Sequence, residues 1–295
     1  MPLPHLYIGK GQFVILPHYC LTFVANLTPA PMIEQIQTFL ATTPVTDYRM
    51  IILLISVGIF VGFINTIAGM ATALSYGLFM MMGLPINVAN GTTRVGVLLQ
   101  FITTSAIFKK KGYLNVKTGW KVGIPVGLGA IFGALLAAVL KVKVIEIVMA
   151  ILLPIICLLL FIDKSRLARI NTESKNSNLL IFLIFTVIGV YGGFTHSGVG
   201  LLIMFGSFFF LGLDMIRSNA IKQFAVTIYT PLALTVFIIY GQVNWTIALI
   251  YAIGNIIGGV AGSYASIKGG EKFIKVFVTI VIVIMSTFLI LKQFR

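Results

Sequence analysis

Charged residues are scarce in this chain of 295 residues, of which 9% are charged and 59% are hydrophobic. Soluble domains carry about 25% charged residues, so this composition cannot cover a water-facing surface. Cysteine is nearly absent, since Cys20 and Cys157 are the two in the sequence and they form no CxxC or other metal-ligand spacing. Neither a disulfide framework nor a metal site is predicted. The composition therefore excludes a soluble domain and indicates an integral membrane protein.

Apolar runs recur along the chain and are separated by short polar stretches. Several approach the roughly 20 residues that a helix needs to cross a bilayer core of about 30 Å. The runs are 50–63, 95–108, 122–140, 144–162, 179–190, 224–240, 247–265 and 276–291. They predict an all-α polytopic membrane protein with no room for a soluble catalytic domain.

The net charge of +14 comes from lysines and arginines that lie mainly between the apolar runs. Basic residues in such loops are typical of the cytoplasmic side of a membrane protein. Contacts with lipid headgroups therefore explain the charge, and we expect no nucleic-acid partner. Residues 1–48 contain one lysine and several prolines, make a poor signal peptide, and are predicted to be a leader or an interfacial segment.

The sequence matches itself at one shift, of 129 residues and without a gap. The matching positions include glycines and asparagines, which are less common in apolar helices than leucine or valine, so we interpret the match as a duplication. It divides the chain into a first transmembrane repeat (49–162), a basic cytoplasmic linker (163–178) and a second transmembrane repeat (179–295). Matched pairs include Thr66 with Thr195, Gly69 with Gly198, Asn90 with Asn219, Gly112 with Gly241 and Gly133 with Gly262.

Each repeat offers about five helical segments, and the second segment of each is short (70–82 and 199–211). If the short segments cross the membrane, the repeats are inverted; if they do not, the repeats are parallel. Crossing places 14 basic loop residues on one side and five on the other. Because basic loops collect on one side of a membrane, the charges favour inverted repeats.

The junctions before the two short segments are rich in glycine and small polar residues. Inverted-repeat transporters bind substrate where such matched, interrupted segments expose backbone groups, and a helix N-terminus attracts anions. The alternative is close helix packing through small residues. The candidate substrate-binding residues are Asn65, Thr66, Gly69 and Thr72 in the first repeat, and Thr195, His196, Ser197, Gly198 and Gly200 in the second.

A second matched pair of polar stretches opens the apolar run that follows each short segment. Both stretches contain a basic residue, Arg94 or Lys222, which would favour an anion if it lay inside the membrane. The alternatives are that Asn90 and Asn219 are helix N-caps and that the basic side chains snorkel to the headgroups. The candidate residues are Asn90, Thr92, Thr93, Arg94, Asn219, Lys222 and Gln223.

Acidic residues number seven, and all of them lie near the end of a predicted helix or in a predicted loop. No carboxylate is therefore expected at a helix centre to bind Na⁺ or to relay protons. His196 lies in the candidate site and could titrate near neutral pH, although a lone histidine is more often a packing residue. No HExxH, GxSxG or clustered His and Asp pattern is present, so neither an enzyme nor a cofactor is predicted.

The order of these motifs is characteristic: a small-residue junction, a short helix, a Gly-Leu turn and a polar stretch, all of them duplicated. They read Ala68-Gly69-Met70-Ala71, Gly83-Leu84-Pro85 and Ala89-Asn90-Gly91-Thr92, with Ser197-Gly198-Val199-Gly200, Gly212-Leu213-Asp214 and Ser218-Asn219-Ala220-Ile221 as counterparts. Over residues 50–291 the chain thus resembles the sulfite exporter TauE/SafE family of membrane transporters. The resemblance implies transport of a small sulfur-containing anion such as sulfite, thiosulfate, a sulfonate or a related organic acid.

Three functions remain open at this point. The first is a secondary transporter that exports such an anion across a bacterial-type inner membrane by alternating access. The second is an anion channel on the same scaffold, which sequence separates poorly from a carrier. The third is an integral-membrane enzyme, for which no catalytic constellation is visible.

Overall fold

A computed structural model describes residues 30–141 and 177–293, and every regular element in these two ranges is helical. The all-α prediction is confirmed for this part of the chain. The predicted run 144–162, most of the predicted linker and residues 1–29 lie outside the described residues. The helices in the described ranges are α1 (Ala30–Thr42), α2 (Tyr48–Ile67), α3 (Thr72–Met81), α4 (Ile86–Lys110), α5 (Val116–Val139), α6 (Ser177–Thr195), α7 (Val199–Phe210), α8 (Met215–Ile239) and α9 (Trp245–Gln293).

Five helices in the described ranges are long and apolar enough to cross a membrane: α2, α5, α6, α8 and the Trp245–Val281 part of α9. Their outer faces carry exposed apolar side chains such as Phe132, Val187 and Ile239, as expected where lipid is the solvent. Helix α9 is interrupted at Gly270, whose φ of 69° and ψ of −167° are not helical. The short helices α3 and α7 have 10 and 12 residues, about 15 and 18 Å at 1.5 Å per residue. The chain is therefore a multi-pass membrane protein.

Helix bounds recur at the spacing of 129 residues on which the sequence matches itself. Helices α4 and α8 both have 25 residues and begin at Ile86 and Met215, while α5 and α9 begin at Val116 and Trp245. The turns before α5 and α9 each contain a glycine in the left-handed region, Gly112 and Gly241.

The N-cap interpretation of the two asparagines is wrong. Helix α4 is preceded by Pro85, whose φ of −59° suits a helix start, and α8 by Asp214, whose carboxylate accepts a hydrogen bond of 2.8 Å from the Arg217 N–H. Proline and a capping carboxylate both start helices readily. Asn90 and Asn219 therefore lie about one turn inside their helices, where their side chains contact other helices.

Close backbone contacts join α2 to α9 and α5 to α6. A Cβ atom on Gly58 would lie 2.7 Å from the carbonyl oxygen of Tyr251, and one on Gly62 would lie 2.5 Å from that of Asn255. From the first contact to the second, the position on α2 and the position on α9 both increase by four residues. Helix α2 therefore runs parallel to the first part of α9. Glycines of α5 approach α6 in the same way, and small residues at such contacts let membrane helices approach closely.

Helices α4 and α8 pack against each other in the antiparallel direction. Near the start of α4, the Thr92 Oγ1 accepts a hydrogen bond of 2.9 Å from the Asn244 N–H, just after the end of α8. Further along α4, the Thr104 hydroxyl donates to the Gln223 Oε1 at 2.9 Å, near the start of α8. These two helices carry 12 of the 24 buried polar or charged residues in the part of the chain whose burial is described.

Candidate functional site

Two breaks in the helices form the centre of the candidate site. The first crossover, residues 65–72, joins α2 to α3, and the second crossover, residues 194–200, joins α6 to α7. Gly69, His196 and Gly198 have positive φ angles of 77°, 57° and 76°, and this backbone ends one helix and redirects the chain into the next. The two crossovers touch, because a Cβ atom on Gly69 would lie 2.7 Å from the carbonyl carbon of Gly200. The fold therefore brings the two predicted junctions together.

The carbonyl groups at the end of α2 are buried and need donors, because the last four carbonyls of a helix have no partner within it. Lys222 supplies two of these bonds, from its Nζ to the carbonyl oxygens of Asn65 (3.2 Å) and Thr66 (2.7 Å). Gln223 adds a third, from its Nε2 to the Thr66 carbonyl at 2.9 Å. Both donors belong to α8, in the opposite half of the chain.

The end of α6 is held in the same manner by residues of the first half. The Arg94 Nη2 donates to the carbonyl oxygens of Gly192 (3.2 Å) and Gly193 (2.5 Å). The Asn90 Nδ2 donates to the Phe194 carbonyl at 2.8 Å, and the Tyr76 hydroxyl donates to the Thr195 carbonyl. Each crossover is therefore stabilised by polar side chains from the other half.

Arg94 and Lys222 are fully buried, since the exposed fraction of each residue is 0%. The snorkelling alternative is therefore wrong for both residues. Among the residues whose burial the structure describes, none of the buried ones is Asp or Glu. Burying a charge is costly unless it is paired. Here the partners are carbonyl dipoles and, for Arg94, the Phe237 ring at 4.9 Å from the guanidinium carbon, so neither basic side chain is paired with a carboxylate among the described residues.

Amide side chains from both α4 and α8 contact the first crossover. The Gln100 Nε2 donates to the Gly62 carbonyl at 3.0 Å and to the Thr66 Oγ1 at 2.8 Å. The Gln223 Nε2 also donates to the Asn219 Oδ1 at 3.0 Å, and the Asn219 Nδ2 lies 3.5 Å from the Ser266 Oγ. These bonds fix the side chains around Lys222.

His196 and Ser197 are tied into the second crossover. The His196 Nδ1 lies 2.6 Å from the Tyr229 hydroxyl, and its backbone N–H donates at 3.0 Å to the Gly192 carbonyl, which also accepts from Arg94. The Tyr191 hydroxyl donates to the Ser197 carbonyl at 2.5 Å. His196 thus contributes to a single hydrogen-bonded cluster with Arg94.

Several buried donors near the crossovers have no hydrogen-bond partner in the structure: Asn65 Nδ2, Thr72 Oγ1, Arg94 Nη1 and Thr195 Oγ1. The N-termini of α3 and α7 likewise have no side-chain cap. Unpaired buried polar atoms are unusual in native proteins and call for an explanation, such as a bound water or ion. An oxyanion, which only accepts hydrogen bonds, would suit these donors, although the Gln100 Oε1 beside the first crossover is an unpaired acceptor.

All sixteen candidate residues are buried, but not all of them face the crossovers. Thr92 contacts the connection between α8 and α9 through Asn244, and the Thr93 hydroxyl donates to the Ala89 carbonyl within its own helix at 2.8 Å. The sequence reasoning missed Tyr76, Gln100 and Tyr229. Gln100 and Tyr229 occupy matched positions 129 residues apart, and this pairing of polar residues in apolar surroundings could have singled them out.

Within the described ranges, no group of His, Cys, Asp and Glu side chains is suited to hold a metal ion. The helices and the site define a multi-pass membrane protein with a cationic polar interior, which is the architecture of a transport protein.

Comparison with known sequences narrows this class. The sequence pattern of the sulfite exporter TauE/SafE family matches residues 54–289, and the chain belongs to this family. A "Probable membrane transporter protein ORF9" of Sinorhizobium sp is 24% identical over 226 residues, which are 76% of this chain and 86% of that protein. A "Probable membrane transporter protein" of Haemophilus influenzae is 24% identical over 242 residues, 82% of this chain and 94% of that protein. No solved structure matches the chain significantly. The protein is therefore a membrane transporter.

Proposed function

We propose that this protein is a secondary transporter that exports a small sulfur-containing anion, such as sulfite, thiosulfate, a sulfonate or a similar organic anion, across the inner membrane by alternating access. The observation that carries the proposal is the pair of fully buried cationic side chains, Arg94 and Lys222, at two helix breaks that touch each other. Cationic residues inside a membrane protein are costly and mark substrate or ion pathways.

The helix ends at the crossovers leave the sign of the substrate to the buried side chains. A helix carries roughly half a positive charge at its N-terminus and half a negative charge at its C-terminus. At each crossover one helix ends and another begins, so these partial charges largely cancel. The charges of Arg94 and Lys222 remain, and they suit an anion of one or two charges whose oxygens accept from the unpaired donors.

The packing directions support inverted repeats. Helices α4 and α8 are equivalent in the duplication, and contacts at both of their ends show that they run antiparallel. A rotation that relates two antiparallel helices has its axis across them, which is the symmetry of inverted repeats. Lys222 and Arg94 are buried and do not count as loop residues. Leaving them out lowers the number of basic loop residues by one on each side of the membrane, so the charges still favour inverted repeats.

The placement of the polar contacts supports alternating access. Each crossover is held by donors from the other half, so a relative movement of the two halves would break and remake these bonds around the substrate. In inverted-repeat transporters such movement opens the site to one side at a time.

A thermal-shift screen of the purified protein tests the proposal. Sulfite, thiosulfate, sulfoacetate, taurine, sulfate and lactate are added in turn, because a ligand that binds the folded state raises Tm by mass action. At least one sulfur oxyanion is expected to raise Tm in the wild type and not in Arg94→Gln. Equal shifts in both proteins, or none with any of these anions, would contradict it.

A further inference from the structure

The ammonium group of Lys222 and the guanidinium group of Arg94 lie at the C-terminal ends of α2 and α6, where the two crossovers begin. In inverted-repeat transporters, helix C-termini and unwound carbonyls in such breaks coordinate the coupling Na⁺ or H⁺. Here the same kind of carbonyl is bound by a cation that belongs to the protein. The position therefore raises the question of what drives transport.

We infer that Lys222 and Arg94 are built-in counter-cations that take the place of a soluble coupling cation, so that transport of the anion does not require Na⁺. This inference rests on the proposed function. The membrane potential, negative inside, then suffices to drive an anion outwards.

Lys222 fills the first of these positions. Its Nζ lies 3.2 Å and 2.7 Å from the carbonyl oxygens of Asn65 and Thr66. Its methylene stem reaches there across the second crossover, since a Cβ atom on Gly200 would lie 3.2 Å from the Lys222 Cδ. One side chain thus contacts both crossovers, and its charge stays at their meeting point.

Arg94 fills a similar position at the end of α6, where it binds carbonyls slightly earlier in the helix than the matched ones. Its Nη2 lies 2.5 Å and 3.2 Å from the carbonyl oxygens of Gly193 and Gly192, and its Nε donates to the Asn90 Oδ1 at 3.1 Å. Nη1 has no partner. The guanidinium can therefore hold the end of α6 and still donate to an anion.

A sodium ion would find poor ligands at the first crossover. The Thr66 carbonyl already accepts from both Lys222 and Gln223, and no buried carboxylate is found among the residues whose burial is described. Two positive charges about 4 Å apart repel by about 4 kcal/mol at an effective dielectric constant of 20. Lys222 and Na⁺ therefore exclude each other from these carbonyls.

Replacement of Na⁺ in wild-type proteoliposomes is the first test. Uptake of the anion found in the thermal-shift screen is measured in sodium medium and in N-methylglucamine medium, with the same imposed membrane potential. The inference predicts equal initial rates. A fall of about tenfold or more without Na⁺ would overturn the inference and leave the proposed function standing. An absence of flux in both media would remove the proposed function and the inference with it.

Lys222→Ala and Lys222→Met form the second test, with exposed Lys268→Ala as the control. Alanine empties the position of the ammonium group, whereas methionine fills most of it without a charge. We expect both variants to lose flux by about tenfold or more, and Na⁺ or methylammonium to restore part of it in Lys222→Ala alone. The fixed-charge role would be overturned if neither variant were rescued. It would also be overturned if a pH gradient drove flux in the wild type and Lys222→Met abolished that flux. If Lys222→Ala does not fold, the sodium replacement in the wild type decides.

Discussion

Substitution of Arg94 by glutamine removes the charge whose surroundings the structure defines best. Glutamine keeps one amide donor, which can replace at most part of the bonds to the carbonyl oxygens of Gly192 and Gly193. A buried polar group left without its partner costs about 1–3 kcal/mol. We therefore expect the variant to be folded but less stable than the wild type by about 2 kcal/mol.

The effect on the substrate is larger than the effect on the fold. Opposite unit charges 4 Å apart attract by about 4 kcal/mol at an effective dielectric constant of 20. Desolvation of the anion offsets part of this attraction, so about 3 kcal/mol, or roughly a hundredfold in Kd, is expected to be lost. The loss should exceed any effect of a charge removed from the surface.

Isothermal titration and proteoliposome flux, each with the anion identified in the thermal-shift screen, measure this difference. Arg217→Gln is the matched control, because Arg217 is exposed and pairs with Asp214 at 3.4 Å outside the site. The control is expected to bind and transport like the wild type. Equal Kd values for Arg94→Gln and Arg217→Gln would refute the placement of Arg94 in the anion site.

Three further experiments test the crossovers and the topology. Gly69→Ala should lower Tm more than Gly83→Ala. Both positions have a positive φ, but a methyl group at Gly69 would also lie 2.7 Å from the second crossover, whereas nothing lies within 4 Å of one at Gly83. Tyr76→Phe removes the hydroxyl that donates to the Thr195 carbonyl and should lower the free energy of unfolding by about 1–3 kcal/mol; chemical denaturation in detergent measures it, and an unchanged value would remove that bond from the account. Cysteines placed singly at the matched, exposed positions Lys111 and Tyr240, in a variant without native cysteines, should react with an impermeant maleimide from opposite sides of the membrane. Labelling of both from one side would indicate parallel repeats.

Much of the helical framework could be predicted from the sequence. The turns that contain Gly112 and Gly241 and the short segments before them appear twice at one spacing, and the helix bounds follow that spacing because equivalent residues start and stop helices in both halves. Glycine in the left-handed region and proline or aspartate at a helix start act locally, so their effect is visible in sequence. The predicted junctions were also correct as helix breaks.

The partners of the candidate residues could not be predicted. The bonds from Arg94 to Gly193 and from Lys222 to Thr66 join residues about a hundred or more positions apart, and nothing local in the sequence specifies them. For the same reason the sequence leaves the N-cap alternative open for Asn90, whereas its amide donates to the Phe194 carbonyl. Tyr229 was missed because an aromatic residue in an apolar run is typical of packing, and its hydroxyl acquires a role only beside His196.

Counterflow in proteoliposomes tests the central claim most directly. Vesicles with purified protein are loaded with an unlabelled sulfur oxyanion and diluted into a trace of the labelled anion, beside vesicles that contain Arg94→Gln. A carrier with the site described above should give saturable uptake with a transient accumulation of label, and the variant should show little of either. Ohmic currents without saturation, or equal accumulation in wild type and Arg94→Gln, would contradict a transporter whose substrate binds at the buried cations.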